Sequence, residues 1–325
     1  MDKTISDVNG FTSYVVNSGQ IINKGYNLSV TATPIQTKNW NWMVSCSLSK
    51  VINKMNTEPG EDAYQIQDYL DGTAIINGKA IGSFYSYRFI GLNPADGGPL
   101  FDDWQDRASE LVGLNNYETA MRVLSYSGRR DPDITGSISS TLQYKNWRLG
   151  VLMDYAAGNK VRLFKVFNQG STTNVGPAYI YPEYNLNRAL INRWRKPGDE
   201  KNTNIPSIMS ITSPDFYQYA NHWSQGSNYQ GVQFASNAWT MYDYSDVRVV
   251  SADYIRLASL SLTYELPQDI LRRWGLERLA FTLTGNNLYT LCNSKLKGQT
   301  PTQSGFAEVQ LSDTPYYTFS INIQL

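Results

Sequence analysis

The chain has 325 residues, of which 41% are hydrophobic and 13% aromatic, and its 28 basic and 28 acidic residues give a formal net charge of zero. A neutral chain without a basic stripe gives no reason to expect a nucleic-acid partner. The mean hydropathy is -0.40, and no apolar run approaches the roughly 20 residues that a transmembrane helix needs, which excludes helical membrane spans. Two cysteines, Cys46 and Cys292, are too few for a disulfide framework, and we expect both to be unpaired.

Apolar and polar residues alternate in seven segments of the chain. In chain order these segments are residues 26–33, 40–49, 134–144, 147–155, 258–265, 279–284 and 316–325. A β-strand points successive side chains to opposite faces of its sheet, so each segment has an apolar face and a polar face. In the last segment, for example, Tyr317, Phe319 and Ile321 share one face while Thr318 and Ser320 share the other. The alternation predicts seven strands.

The connections between these strands are of two kinds. Three are short or compact and cover residues 34–39, 145–146 and 267–278. Three are long and cover residues 53–133, 158–252 and 290–315. Short turns on one rim and long loops on the other are typical of outer-membrane β-barrels, so every long loop is expected outside the cell. In the third short connection we expect a helical periplasmic cap that begins after Pro267 and ends at Gly275.

Two features of the pattern leave alternatives open. Residues 81–90 and 117–126 are either an additional pair of crossing strands or structure within a long loop. Ile255 and Leu257 have the opposite parity to Leu260, so the strand there either contains a β-bulge or changes its surroundings.

The fold class predicted from these observations is all-β: an antiparallel transmembrane β-barrel segment with lipid on its apolar face and a wet lumen on its polar face. Seven to nine strands would leave two unpaired edges in lipid, so the segment is expected to be incomplete on its own. The residues after Met1 contain no apolar secretory core, which also suggests the later part of a longer chain. A secreted soluble β-sandwich that binds carbohydrate has the same strand period and is the alternative. A self-closing barrel of eight strands is a third possibility.

Ordered landmarks along nearly the whole chain resemble the SusC/RagA family of TonB-linked outer-membrane proteins, the TonB-dependent receptors. They are found at residues 6–10, 14–17, 22–26, 81–87, 131–133, 144–147, 192–194, 254–257, 260–264 and 285–289. The last residue, Leu325, departs from the terminal aromatic residue that is usual in such barrels.

The resemblance implies that residues 1–325 are the C-terminal part of a receptor barrel, without a plug domain, TonB box or signal peptide. It implies import of glycans or oligosaccharides, with peptides as the other substrate class, and no enzymatic activity. The implied partners are a SusD-like surface lipoprotein, TonB acting through a missing N-terminal region, and outer-membrane lipid. The implied location is the outer membrane of a Gram-negative, Bacteroidetes-like bacterium.

No residue set favours catalysis or cofactor binding. His222 is the only histidine, so neither a histidine-based metal site nor a Ser/His/Asp relay is expected. An acidic group at Asp96, Asp102, Asp103 and Asp106 has the oxygen atoms that calcium prefers but lacks the regular spacing of a calcium loop. We therefore expect a solvated loop face there and no metal or cofactor.

An aromatic stretch at residues 216–244 is the candidate substrate site. Its rings are suited to stacking on sugars while neighbouring amides bond hydroxyl groups, and we select Trp223, Tyr229, Trp239 and Tyr242. The alternative is that these rings pack the loop onto itself or onto the lid lipoprotein, because a large ordered loop needs its own core.

Overall fold

The structure is a computed structural model that describes residues 2–4, 13–15, 20–56, 64–167, 186–223, 228–229, 232–234, 237–302 and 313–325. Its strands are β1 (Asp2–Thr4), β2 (Ser13–Val15), β3 (Ile21–Gln36), β4 (Trp40–Met55), β5 (Ser83–Tyr87), β6 (Phe89–Leu92), β7 (Pro99–Phe101), β8 (Leu124–Arg129), β9 (Ile134–Tyr144), β10 (Trp147–Ala157), β11 (Lys160–Arg162), β12 (Asn228–Tyr229), β13 (Val232–Gln233), β14 (Val249–Ser251), β15 (Tyr254–Glu265), β16 (Arg278–Cys292) and β17 (Tyr316–Gln324). Its α-helices are α1 (Ile66–Asp71), α2 (Asn116–Val123), α3 (Phe216–Ala220), α4 (Ala238–Asp243) and α5 (Gln268–Trp274). Short 3-10 helices cover Gln105–Leu111, Arg188–Asn192, Asp199–Lys201, Asp246–Arg248 and Ser294–Leu296. Among the described residues, no helix combines the length and apolar character needed to cross a membrane.

The seven predicted strands form a single antiparallel sheet. Its order is β17-β16-β15-β10-β9-β4-β3, so nearly every strand pairs with its neighbour in the chain. The exceptions are the β4–β9 and β10–β15 pairs, which the first and the second long connection separate in sequence. Strands β3 and β17 lie at the two edges and do not pair with each other. The all-β fold of an open barrel segment is confirmed, and the described strands do not make the self-closing eight-stranded barrel.

One face of the sheet is apolar across all seven strands. In the middle of the sheet, Val151 pairs with Leu260 and Leu149 pairs with Leu262. Near one edge, Leu283 pairs with Phe319 in the same way. Because directly paired residues of antiparallel strands share a face, these pairs continue one apolar surface from strand to strand.

A β-bulge resolves the parity change in β15. The register shifts so that Leu152 pairs with Ser259 while Met153 pairs with Leu257, which leaves Ala258 as the extra residue. An extra residue reverses the alternation, and so Ile255 returns to the apolar face. Of the two explanations left open by the sequence, the bulge is therefore correct.

The opposite face carries small hydroxyl groups. The hydroxyls of Thr31 and Ser45 lie 2.9 Å apart, and those of Ser47 and Ser137 lie 2.8 Å apart. Such cross-strand hydroxyl pairs join neighbouring strands without filling the space in front of them. Met43 and Leu152 also lie on this face, but most of its residues are small and polar.

The two rims of the sheet differ as predicted. One rim carries the short links: the two-residue turn between β9 and β10, and helix α5, which ends at Gly275 with a φ of 66°. The backbone N–H of Glu265 donates to the carbonyl of Asn146, so these links lie side by side. All three long connections leave from the other rim.

Among the described residues, no second layer covers the apolar face of the sheet. Leu28 is 55% exposed, Leu283 54% and Phe319 64%. A β-sandwich would bury this face against a second sheet, and among the described residues no other sheet has more than two strands. The soluble sandwich alternative is therefore wrong.

The two ambiguous segments belong to loop structure. Residues 83–87 form β5, which pairs with β8, and all five residues of β5 are buried. Tyr117 lies in helix α2, which begins with a capping box in which Asn115 and Glu118 each accept from the other's backbone N–H. Neither segment joins the seven-stranded sheet.

Candidate functional site

The long connections fold into a body with its own core, which we call the loop module. It comprises residues 64–133, 158–167, 186–223, 237–253 and 293–302 together with Phe234. Its largest apolar cluster joins Tyr69 of α1, Tyr87 of β5, Val123 of α2 and Trp223, all of which are buried. Because the cluster draws on the first and the second long connection, these two loops fold as one unit.

Three of the four predicted substrate residues lie inside the loop module. Trp239 is 0% exposed, Tyr242 1% and Trp223 2%. The backbone of Tyr229 lies in β12, and its side chain is outside the described part of the chain. The burial favours the packing alternative for the first three rings. Substrate contact by these residues stays a prediction.

Asp103, one of the four acidic residues predicted to form a solvated loop face, is a hydrogen-bond partner of Trp223 and His222. Its Oδ2 accepts from the indole Nε1 of Trp223 at 2.7 Å and lies 2.8 Å from Nε2 of His222. Asp103 is only 3% exposed, so it is a buried acceptor rather than a solvated group. The expectation of a solvated face was wrong for this residue, because the buried indole N–H needs an acceptor.

The other three acidic residues also have protein partners. Asp96 accepts from the hydroxyl of Tyr219 at 2.9 Å, Asp102 pairs with Arg88 and Arg107, and Asp106 lies 3.6 Å from Arg107. Among the described residues no group of three or more potential ligands could hold a metal ion. The carboxylates thus act within the loop module as hydrogen-bond acceptors and ion-pair partners.

Arg162 is a buried cation at the centre of the module. Its guanidinium donates to the carbonyls of Tyr85 at 2.9 Å, Leu70 at 3.3 Å and Ser245 at 3.3 Å. These three acceptors come from three separate segments, so a single side chain joins α1, β5 and the short segment that follows α4. Burial lowers the pKa of Arg162 to about 10, which leaves the side chain charged at neutral pH.

A groove of about 880 Å³ opens on the loop module. Its lining includes four basic residues, Arg188, Arg248, Lys295 and Lys297, and the amides Asn192 and Asn204. No Asp or Glu is found among the described lining residues. No sequence pattern predicts this groove, because its basic residues are separated by up to about a hundred positions and follow no motif. Only the folded loop module brings them together.

The polar face of the sheet has its own charged group near the rim of the long connections. Arg256 donates to Asp154 at 2.7 Å and to Asp313 at 3.2 Å. Arg256 and Asp154 are direct register partners on β15 and β10, while Asp313 precedes β17. The arrangement ties three parts of the chain together below the loop module.

The chain is similar to known receptors. A Formosa agariphila protein named TonB-dependent receptor P3 is 24% identical over 303 residues, which are 89% of this chain and 26% of that protein. A solved chain of the RagAB peptide transporter has a TM-score of 0.66 at 19% identity, with 99% of this chain and 31% of that chain covered. A structure of the RagAB peptide importer in its open-open state has a TM-score of 0.67 at 20% identity, with 100% and 31% covered. No protein-family model matches the chain.

The predicted resemblance to TonB-dependent receptors is confirmed by these similarities, and the fold is that of the RagAB chains. The names of these proteins describe receptors and transporters, not enzymes. The chain spans about a quarter of the length of the curated relative, 26%, and 31% of the solved chains.

Proposed function

We propose that residues 1–325 form the C-terminal part of the barrel of a SusC-like, TonB-dependent importer in the outer membrane of a Gram-negative, Bacteroidetes-like bacterium. One observation carries the proposal: the seven-stranded sheet has an exposed apolar face, a hydroxyl-rich face, short links on one rim and a folded loop module on the other. In this assignment the apolar face contacts lipid, the hydroxyl face lines the lumen, and the loop module is extracellular.

Aromatic residues support the orientation. On the apolar face beside the short links, Trp40 pairs with Tyr144, Tyr144 with Trp147, and Trp147 with Tyr264. The ring centroids of the first pair are 4.3 Å apart and those of the last pair 4.6 Å. Aromatic residues form such girdles where a barrel meets the membrane interface. Strand β10 has 11 residues, close to the ~9–11 that a tilted strand needs to cross a bilayer.

The free edges of β3 and β17 would pair with further strands of the same barrel, because lipid cannot satisfy their backbone N–H and C=O groups. A plug, a TonB box and a signal peptide would belong to other parts of the receptor. TonB would supply energy through the N-terminal region of the receptor, and a SusD-like lipoprotein would cover the loop module.

The import substrate we propose is a glycan or oligosaccharide. Peptides are the second candidate, because the two structural neighbours are a peptide transporter and a peptide importer.

The assignment of the two faces is tested by placing one charge on each. Leu283 lies on the apolar face, and its neighbour Thr284 lies on the polar face of the same strand. We expect Leu283→Arg to lower the amount of protein assembled in the outer membrane, because arginine in the apolar band costs about 2–4 kcal/mol. The matched variant Thr284→Arg should assemble normally. Equal assembly of the two variants, or a greater loss with Thr284→Arg, would reject the proposed orientation.

The transport function is tested in a strain that lacks the gene. We expect the deletion to abolish uptake of a labelled oligosaccharide and to leave diffusion of small sugars unchanged, and a TonB deletion to have the same effect. Loss of labelled peptide uptake instead would select the second candidate. Unchanged uptake of both substrates would reject an import function.

A further inference from the structure

The groove on the loop module has the chemistry of an anion-binding site. Three basic side chains on its lining, Arg188, Lys295 and Lys297, are exposed. None of them lies within 4 Å of a carboxylate in the described part of the chain. Cations gathered without counter-charges repel each other, and a bound anion relieves that repulsion.

The fourth basic residue of the groove, Arg248, differs from the other three because its side chain is largely buried. Arg248 is only 8% exposed, and one of its Nη atoms donates to the carbonyl of Phe164 at 2.6 Å. Its Nε atom is buried and has no hydrogen-bond partner among the described residues. The guanidinium of Arg248 therefore adds a fourth, largely buried positive charge to the groove lining, and a bound anion would offset part of the cost of burying that charge.

The uncharged part of the lining distinguishes between classes of anion. Asn192 and Asn204 line the groove with amide groups suited to hydroxyl partners. The lining residues come from α4, 3-10 helices and irregular segments. None lies in a described β-strand, so the described lining offers no strand edge to pair with a peptide backbone. Charged and amide side chains without a backbone ladder fit an acidic sugar better than an extended peptide.

We propose that this groove binds an acidic oligosaccharide, with carboxylate or sulfate groups at the basic residues and hydroxyl groups at Asn192 and Asn204. The volume of about 880 Å³ is large enough for several sugar units. This inference rests on the proposed function and narrows its substrate to anionic glycans. The aromatic residues selected from the sequence have no part in it apart from Tyr242, which lines the groove but is 1% exposed.

The test measures binding to the full receptor purified in detergent, by isothermal titration calorimetry. The probes are a galacturonate tetramer, a sulfated galactan tetramer, a neutral galactan tetramer and a tetra-aspartate peptide. We expect the acidic tetramers to bind the unmodified receptor and the neutral tetramer to bind at least tenfold more weakly. The affinity for the acidic tetramers should fall as the salt concentration is raised. The two acidic tetramers separate carboxylate from sulfate as the preferred group.

Paired variants locate the site. The double variant Lys295→Gln/Lys297→Gln should weaken binding of an acidic tetramer about tenfold, because two charge-assisted contacts are lost. The double variant Lys196→Gln/Lys201→Gln removes two exposed cations outside the groove lining and should leave binding unchanged. Equal weakening by both pairs, equal binding of the neutral tetramer, or tighter binding of tetra-aspartate would overturn the proposal.

The result of the ligand-binding test can be distinguished from the result of the membrane-assembly test. The Leu283→Arg and Thr284→Arg pair reports on membrane assembly, and the lysine pairs report on ligand binding. Normal assembly with no acidic binding would reject the anionic substrate and leave the importer assignment in place. Acidic binding by a protein that fails the assembly test would reject the importer assignment alone.

Discussion

The side chain of Tyr155 on β10 lies across Gly136 on β9. Its hydroxyl donates to the backbone carbonyl of Ser47 on β4 at 3.1 Å, so one side chain joins three adjacent strands. A Cβ atom on Gly136 would lie 2.4 Å from the hydroxyl oxygen of Tyr155 and 2.2 Å from the carbonyl oxygen of Ser47. Only glycine leaves room for this contact.

The contact predicts that Gly136→Ala destabilises the sheet. One clash involves backbone, which a rotamer change cannot relieve, so we expect a loss of roughly 2 kcal/mol or more in the free energy of unfolding. Denaturant unfolding of the receptor reconstituted in lipid measures the change. The variant Tyr155→Phe, which removes only the hydrogen bond, should lose about 1 kcal/mol. If Gly136→Ala becomes harmless once Tyr155 is also changed to Ala, the backbone clash is not the cause.

A second prediction concerns Arg162 in the loop module. Lysine in its place cannot reach three carbonyls on separate segments, so the variant Arg162→Lys leaves buried acceptors unpaired. We expect a loss of about 3 kcal/mol in the local stability of the module, with the sheet unaffected. Hydrogen exchange measured by mass spectrometry should show faster exchange at residues 66–71 and 83–87. Arg273→Lys in α5 is the control, and faster exchange in strands β9 and β10 would contradict a local role.

The alternation of apolar and polar residues was enough to predict the sheet, because every one of its strands has an apolar and a polar face. It was not enough in the loop module. Residues 117–126 fitted either a crossing strand or structure within a loop, and the capping box of Asn115 and Glu118 starts a helix there that buries Val123. The parity change at Leu257 fitted two explanations, and only the pairing with Met153 distinguished them.

The candidate site was harder to predict for a physical reason. Trp239 and Tyr242 have the residue types of a sugar platform, yet a loop body of this size needs large rings for its own core. The groove depends on Arg188 and Lys297, which are brought together by tertiary folding alone. Local sequence patterns carry no information about contacts between residues that are far apart in the chain.

A third prediction follows from Asp103. The variant Asp103→Ala removes the acceptor of the buried Trp223 indole N–H and the partner of His222. We expect it to destabilise the loop module by about 1–3 kcal/mol, since a buried donor is left unsatisfied. Protease nicking of the loops on intact cells measures this loss. Asp106→Ala is a close control, because the Asp106 side chain is 81% exposed and should be dispensable. Equal protease sensitivity of the two variants would count against a structural role for Asp103.

The buried tyrosines predict alkaline instability of the loop module. Burial raises the pKa of Tyr242 from 10.0 to about 12, and burial likewise raises the pKa of Tyr85 to about 12. Because the folded-state pKa is higher than the unfolded one, the unfolded chain releases its phenolic protons first. The stabilisation is complete below pH 10 and is lost progressively as the pH rises from about 10 to about 12.

For Tyr242, which is 1% exposed, a shift of this size corresponds to roughly 2–3 kcal/mol. Ultraviolet absorbance of phenolate, recorded with the receptor in detergent, should show a group of tyrosines that ionises above pH 10. The loops should lose their resistance to protease over the same pH range. Tyr242→Phe should remove one phenol from that late group and make stability less sensitive to pH between 10 and 12. If every tyrosine ionises near pH 10 while the loops stay protease-resistant, Tyr85 and Tyr242 are not buried as described.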